Sequence, residues 1–297
     1  MSHEMLVDVN LVNRLIASQF PQWADLPIEP VESAGTDNAI FRLGKELAVR
    51  LPRAEWAMGQ VEKEQRWLPM LAPQLPLAIP APLALGLPAE GYPSRWSVYQ
   101  WLEGENAIVR GIDDLGQAAD ALAHFVTALQ RIDATGGPVP GPHNSGRGVP
   151  LAQRDAAVRD AIAGLSGLLD TDAALAAWEA ALHAPVWHGA PVWLHGDLHP
   201  GNVLVQEGRL SAIIDFGTLG VGDPACDLMA GWTLLTAEAR ACFRAALPVD
   251  DATWLRGQGW ALSFGLIAYV YYIDKNPVLA SISKSTIEEV LSDYQFL

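Results

Sequence analysis

Hydrophobic positions change from a helical to a strand-like period within the first hundred residues. Apolar residues at helical spacing predict a helix over residues 8–19. Residues 39–43 and 47–51 each have the character of a short strand, and the polar turn between them predicts a hairpin. A helix is predicted over about residues 56–71, and a further strand over Ser97 to Leu102. The N-terminal third is therefore predicted to be rich in strands.

The rest of the chain is mostly helical in pattern. A loop rich in Gly and Pro at residues 136–150 interrupts it, and three short apolar runs predict strands at 192–194, 203–205 and 212–214. Helical periodicity covers residues 112–133, 152–168, 172–183, 224–246, 251–273 and 283–293. Because strands and helices are segregated along the chain, the expected class is α+β, with two lobes. A cleft between the lobes is the expected ligand site.

Composition and charge narrow the possible partners. Of the 297 residues, 50% are hydrophobic and 18% are charged, which is typical of a folded globular protein. The formal net charge of −15 disfavours nucleic acid and anionic membranes as partners. It suits a cationic substrate, although an acidic surface also serves solubility alone. The two cysteines do not form a metal or disulfide pattern, and neither a signal peptide nor a membrane span is predicted, so a cytoplasmic location is expected.

The strongest chemical signal lies between and after the short strands of the C-terminal half. Asp197 and Asn202 are five positions apart, the offset found between the base and the metal-binding Asn in H-R-D-x-x-x-x-N. Asp215-Phe216-Gly217 follows and matches the D-F-G that holds magnesium. Phosphoryl transfer needs hard oxygen ligands for a divalent metal and one carboxylate that takes the acceptor's proton. Asp197 is therefore predicted to be the base, and Asn202 and Asp215 the metal ligands.

This stretch also resembles a known family. His195 to Asn202, together with Asp215, is similar to the Brenner-type motif of the aminoglycoside phosphotransferase family, which includes macrolide, choline and related small-molecule kinases. The resemblance implies a protein-kinase-like fold. Residues 1–103 would form the nucleotide-binding lobe and hinge, and residues 104–297 the helical lobe with the catalytic loop and substrate site. It also implies ATP or GTP as donor and Mg²⁺ as cofactor.

Two further acidic residues fit the family's pattern. Asp223 in the Gly-Asp-Pro turn would cap the helix that follows, and Asp227 would brace the catalytic loop through hydrogen bonds. His195 is expected to support the loop by hydrogen bonding. Capping alone is the simpler interpretation of both carboxylates.

The resemblance places nucleotide-binding residues in the N-terminal part as well. The turn Gly35-Thr36-Asp37-Asn38 lies where the family folds a hairpin over the phosphates, which backbone N–H groups can cradle. Arg50 stands where related enzymes carry a phosphate-gripping Lys, so it is either that residue's substitute or a surface strand residue. Its expected partner is Glu64, with Glu62 as the alternative. The backbone of Gln100, Trp101 and Leu102 would bind the purine.

Three functions remain open on these grounds. The leading one is transfer of a γ-phosphoryl group to a hydroxyl of an aminoglycoside or macrolide-type antibiotic. The others are a metabolic small-molecule kinase and a non-catalytic nucleotide-binding pseudokinase. Acceptor residues are expected within 140–190 and the C-terminal helices, where Asp155 and Asp160 could face a cation. The chain is expected to be a monomer or a homodimer.

Overall fold

A five-stranded antiparallel sheet dominates the N-terminal part. The computed structural model describes residues 7–32, 35 and 37–294. The strands lie in the order β1-β2-β3-β5-β4. They are β1 (Ile28–Pro30), β2 (Asn38–Leu43), β3 (Leu47–Pro52), β4 (Pro82–Gly86) and β5 (Trp96–Gln100).

Two helices flank this sheet on opposite faces. Helix α1 (Val9–Gln19) packs its apolar side, which includes Leu15 and Ile16, onto the face that carries Val49 and Val98. Helix α2 (Gln60–Leu71) lies on the other face, toward which Arg50 of β3 is directed. Because side chains alternate along a strand, β3 presents its apolar residues to α1 and Arg50 to α2.

The C-terminal part is mainly helical and holds two small antiparallel sheets. Their strands pair as β10 with β7 and in the order β6-β8-β9. The strands are β6 (Glu105–Asn106), β7 (Val192–Leu194), β8 (Val203–Gln206), β9 (Arg209–Ile213) and β10 (Gly220–Gly222). The helices are α3 (Ala107–Arg110), α4 (Leu115–Arg131), α5 (Asp155–Gly164), α6 (Thr171–His183), α7 (Ala230–Thr233), α8 (Ala237–Ala246), α9 (Asp251–Tyr272) and α10 (Pro277–Tyr294).

Two apolar clusters hold the helical part around these strands. One packs α4 against β7, β8 and β9, with Phe125, Trp193 and Phe216 fully buried. The other packs α9 against α5, α6 and α10, with Trp178 and Trp260 fully buried. The catalytic-type loop between β7 and β8 lies at the junction of both clusters, because Leu194 belongs to one and Leu198 to the other.

The α+β class and its strand-rich and helical parts are confirmed, with local differences. The helix predicted over 224–246 is divided into a 3₁₀ segment, Pro224–Met229, followed by α7 and α8. The Pro-punctuated stretch after α2 contains the unpredicted strand β4, which pairs with β5 and forms an edge of the sheet within the described residues. An edge strand tolerates Pro82 because its outer N–H groups need no partner in the sheet. Within the described residues no helix is both long and apolar enough to cross a bilayer.

Candidate active site

The loop between β7 and β8 is anchored by the buried carboxylate of Asp227. Both Asp227 oxygens accept backbone hydrogen bonds, from His195 N and Gly196 N, each at 2.7 Å. Burial raises the pKa of Asp227, although His195 and the two N–H groups act against that rise. The bracing role expected of Asp227 is therefore confirmed.

The imidazole of His195 ties the same loop to the end of β9. Its Nε2 lies 3.0 Å from the Ile214 carbonyl oxygen, and its Nδ1 accepts the Asp197 N–H at 3.2 Å. The ring is fully buried and packs edge-on against Phe216. His195 thus supports the loop through hydrogen bonds, as expected, and one of these bonds fixes the backbone of Asp197.

The carboxylate of Asp197 is surrounded by donors. Asn202 Nδ2 donates to its Oδ2 at 3.1 Å and to its backbone oxygen at 2.9 Å. His199 Nε2 lies 3.4 Å from Oδ2, and Arg147 Nη2 lies 3.2 Å from Oδ1. Burial alone would raise the pKa of Asp197, but His199, Arg147 and His195 together hold it well below its usual range. Asp197 is therefore ionised at neutral pH, as a proton acceptor must be.

Asp215 lies beside Asn202 at the end of the neighbouring strand. The Ile214 N–H donates to the Asn202 carbonyl oxygen at 2.9 Å, which fixes the two segments side by side. Asp215 adopts a left-handed conformation with φ 60°, and its Oδ1 accepts the Gly217 N–H at 3.3 Å. The structure thus brings Asp197, Asn202 and Asp215 together at one end of the short sheet.

The donor chemistry at this point fits a hard divalent cation. Asn202 uses its amide nitrogen for Asp197, so its amide oxygen is the end not committed to that bond. Asp215 offers a half-exposed carboxylate whose Oδ1 is used by Arg50 and Gly217. Oxygen ligands of this kind suit Mg²⁺, which binds through one or two protein groups plus phosphate oxygens. No cluster of three or more His, Cys, Asp or Glu with metal-binding geometry occurs among the described residues.

Arg50 connects the two parts of the molecule. Its guanidinium lies 2.5 Å from Glu64 Oε1 and 2.7 Å from Asp215 Oδ1. When the Asn38 amide oxygen faces it, Arg50 also donates from Nε and Nη2 at 3.2 and 2.8 Å. Burial acts to lower the pKa of Arg50, but Glu64 and Asp215 outweigh it and hold the pKa well above the usual value. Arg50 is thus a permanent cation in the cleft rather than a surface strand residue.

The partner of Arg50 is Glu64 and not Glu62. Glu64 is almost fully buried, and its other oxygen accepts a hydrogen bond from the Tyr99 hydroxyl. Glu62 instead pairs with Arg95 at the surface, at 2.7 Å. The difference follows from helical geometry, because residues two apart on α2 face different directions.

The structure describes some of the other residues that are predicted to contact the nucleotide. Thr36 lies outside the described residues. The Asp37 backbone oxygen accepts the Arg53 N–H at 2.7 Å, which closes the turn onto the end of β3. At the hinge, Gln100 N donates to the Ala81 oxygen at 2.9 Å and Trp101 N to the Glu46 oxygen at 2.7 Å.

Those two hinge bonds limit what the segment can offer a purine. The N–H groups of Gln100 and Trp101 are already used within the N-terminal part. Among the described residues the Leu102 N–H donates to no backbone oxygen.

Four further residues near the site belong to none of the motifs found in the sequence. Lys63 donates to the Gly217 oxygen at 2.7 Å, and burial, with a smaller effect of Arg50, lowers its pKa to about 8. Gln60 lies 3.5 Å from Arg50, and Arg147 pairs with Asp197. Tyr272, at the end of α9, has its pKa raised to about 12 by burial and by Asp37 and Asp197.

Asp155 and Asp160, which could face a cationic acceptor, have different surroundings in the structure. Asp155 accepts hydrogen bonds from Trp178 Nε1 and from Arg159, both at 2.8 Å. It therefore joins α5 to α6. Asp160 is exposed on α5. Of the four residues named before these (Lys63, Gln60, Arg147 and Tyr272), Lys63 alone could have been anticipated from the sequence, because it neighbours Glu64.

Together, a cleft with this Asp, Asn and Asp arrangement and a bridging arginine–glutamate pair defines a phosphotransferase of protein-kinase-like fold. A model of the phosphotransferase enzyme family matches residues 28–260, which is most of the chain, and the chain belongs to that family. The resemblance drawn from the His195–Asn202 motif is confirmed. No curated protein sequence matches the chain.

Solved structures of antibiotic phosphotransferases share the fold at low identity. A GDP and kanamycin complex of APH(2")-IIia is 20% identical with a TM-score of 0.72, and the match covers 95% of this chain and 98% of that one. The macrolide 2'-phosphotransferase MphH from Brachybacterium faecium is 24% identical with a TM-score of 0.61, covering 94% and 97%. The ADP-bound aminoglycoside phosphotransferase APH(2'')-Ib is 16% identical with a TM-score of 0.59, covering 96% and 99%.

Proposed function

We propose that the chain is a magnesium-dependent kinase that moves the γ-phosphoryl group of ATP or GTP to a hydroxyl of a small molecule. An aminoglycoside or macrolide-type antibiotic is the leading acceptor. The observation that carries the proposal is the meeting of Asp197, Asn202 and Asp215 at one end of the β8–β9 pair, with Arg50 reaching Asp215 from the other part of the molecule. Similar folds with GDP or ADP bound support a nucleotide donor.

Each residue has a distinct task in this reaction. Asp197 orients the acceptor hydroxyl and takes its proton on a carboxylate oxygen, which its depressed pKa keeps ionised. Arg50 binds the α- and β-phosphates while Glu64 and Tyr99 hold it in place. Asn202 and Asp215 would hold Mg²⁺, which neutralises phosphate charge when bound.

The remaining contacts follow from the same arrangement. The turn at Gly35, Thr36, Asp37 and Asn38 covers the phosphates, and the hinge at Gln100, Trp101 and Leu102 takes the purine. Residues 1–103 act as the nucleotide-binding lobe with its hinge, and residues 104–297 as the lobe of the catalytic loop and acceptor. We place the enzyme in the cytoplasm, as a monomer or homodimer.

The test is acceptor-dependent release of nucleoside diphosphate. Purified protein with Mg²⁺ and ATP or GTP is screened against aminoglycosides, macrolides and common hydroxyl metabolites. Asp197→Ala should lower turnover by about 10²–10⁴, the usual share of a positioned base. Asp120→Ala, an exposed change on α4, is the matched control and should leave turnover unchanged.

Three results would reshape or end the proposal. Turnover on metabolites alone would make the chain a metabolic kinase. Tight nucleotide binding without turnover on any acceptor would make it a pseudokinase. Full turnover by Asp197→Ala would remove Asp197 from the mechanism.

A further inference from the structure

A buried arginine from the long Gly- and Pro-rich loop lies against the catalytic carboxylate. Arg147 is 9% exposed, and its Nη2 is 3.2 Å from Asp197 Oδ1. Its aliphatic stem packs on Gly196 of the catalytic loop, where an added Cβ would lie 3.0 Å from Arg147 Cγ. The guanidinium also covers the ring of Phe264 on α9 at 5.6 Å. Arg147 therefore lines the site beside Asp197, where the acceptor hydroxyl would bind.

The loop backbone is built to hold Arg147 at this place. Asn144 Nδ2 donates to the Arg147 carbonyl oxygen at 3.1 Å, and the Arg147 N–H donates back to the Asn144 carbonyl at 3.0 Å. Gly148, with φ 85°, packs so tightly that a Cβ there would lie 2.5 Å from Leu194 Cδ1. The Asp223 N–H then donates to the Gly148 oxygen at 3.0 Å. The position of Arg147 is thus fixed at both ends.

A second guanidinium adds positive charge to the same side. Arg154 donates from Nε to Ser263 Oγ at 2.6 Å and from Nη1 to the Ser145 oxygen at 3.2 Å. No ion-pair partner of Arg154 occurs in the part of the chain that the structure describes. Burial and the charge of Arg147 lower the pKa of Arg154 to about 10, so it remains a cation at neutral pH.

The nearby carboxylates do not restore an acidic acceptor site. Asp227 is buried beneath the loop, and Asp223 is paired with Arg256 at 2.8 Å. Asp155 is committed to Trp178 and Arg159. Burial raises the pKa of Tyr272, and Asp37, which precedes β2, acts electrostatically in the same direction. Asp197 itself is already paired with Arg147 and with His199.

A cavity next to the catalytic loop points the same way. It has a volume of about 520 Å³ and is lined by Pro200 of the loop, by Ile108, and by Val278 and Ile282 of α10, among others. None of its lining residues is charged. An apolar portion of an acceptor can bury surface against this lining, whereas an ammonium group finds no carboxylate there to pair with.

We propose that Arg147 is a specificity-determining residue that disfavours polycationic acceptors at Asp197. Of the two acceptor classes proposed above, a largely apolar macrolide-type compound is favoured over an aminoglycoside. This inference rests on the proposed function, because it concerns the acceptor of that reaction. Like charges a few ångströms apart in a partly buried site repel strongly enough to change affinity by tenfold or more.

The test uses kanamycin as a polycationic probe in isothermal titration calorimetry. The parent protein should not bind it measurably. Arg147→Glu should bind it at least about tenfold more tightly than the parent, and Arg147→Met should show a smaller gain. Arg14→Glu is the matched control, because Arg14 lies on α1 with a half-exposed side chain and its reversal changes the net charge equally. This control should behave as the parent does.

Two outcomes would overturn the inference. One is tight kanamycin binding or kanamycin turnover by the parent. The other is an unchanged affinity in both Arg147 variants, with native folding of each verified by thermal unfolding. Arg147→Met preserves side-chain bulk, so it keeps the test valid if the charge reversal does not fold. Calorimetry needs no turnover, so failure here is distinct from failure of the Asp197 assay.

Discussion

Arg50 shows how a single side chain can join the two parts of the molecule. It bridges Glu64 on α2 and Asp215 after β9, and only 14% of its side chain is exposed. A planar guanidinium can satisfy both carboxylates at once, whereas an ammonium is a single point charge. The arginine therefore suits this position for geometric reasons, which supports the proposal that it takes the place of a phosphate-gripping lysine.

This geometry predicts a graded response to substitution at Arg50. Arg50→Ala should weaken nucleotide affinity by about tenfold or more, because one charge-assisted contact to phosphate is lost and Glu64 remains buried without its partner. Arg50→Lys should retain part of that affinity. Nucleotide binding is measured by calorimetry, with Arg95→Ala as the control, because Arg95 pairs with Glu62 on the surface of the same helix. Unchanged affinity in Arg50→Ala would assign phosphate binding to other residues.

At the scale of elements, α9 is attached to the catalytic segment through a buried ion pair. Asp223 caps the 3₁₀ segment after it by accepting the Ala225 N–H at 3.0 Å. The same carboxylate accepts Arg256 Nε at 2.8 Å and Nη2 at 3.1 Å, and both side chains are 5% exposed. The sequence position of Asp223 predicts a helix cap. The structure shows that Asp223 also forms a buried ion pair with Arg256.

Breaking this pair from one side should be costly. Arg256→Met leaves a buried carboxylate without its counter-charge, so the free energy of unfolding should fall by about 3–5 kcal/mol. Urea denaturation measures the loss. Arg159→Met removes an exposed ion pair and should leave the denaturation midpoint nearly unchanged. Equal midpoints for the two variants would show that the Asp223–Arg256 pair contributes no more than a surface pair.

The sequence could predict elements whose signal is local. The hairpin β2–β3 and strand β7 were predicted within one residue at each end, because alternation and turn residues specify them. Strand β4 could not be predicted, since its pairing with β5 is a tertiary contact and its Pro residues suggest a loop. Arg147 was missed for a similar reason. It meets Asp197 only through the folded path of a loop with no periodic pattern.

On the scale of the whole molecule, the acidic surface and the cationic cleft act on a nucleotide in opposite directions. The net charge of −15 first suggested a cationic substrate, yet Arg50, Lys63, Arg147 and Arg154 lie around the proposed site. Net charge governs encounter at long range, whereas the local groups govern the bound state. The long-range and the local electrostatic effects can therefore be distinguished by varying the salt concentration.

Nucleotide association should become faster as salt is added. An anionic nucleotide approaching this protein is repelled over the Debye length, which shrinks from about 30 Å at 0.01 M to about 8 Å at 0.15 M. The association rate constant, measured by stopped flow with a fluorescent nucleotide, should therefore rise by roughly two- to tenfold over this range. The dissociation rate constant of Arg50→Ala should exceed that of the parent at both salt concentrations, because the local contact is lost at either one. A rate constant for association that falls with salt would mean that the four cations, rather than the acidic surface, already govern the approach.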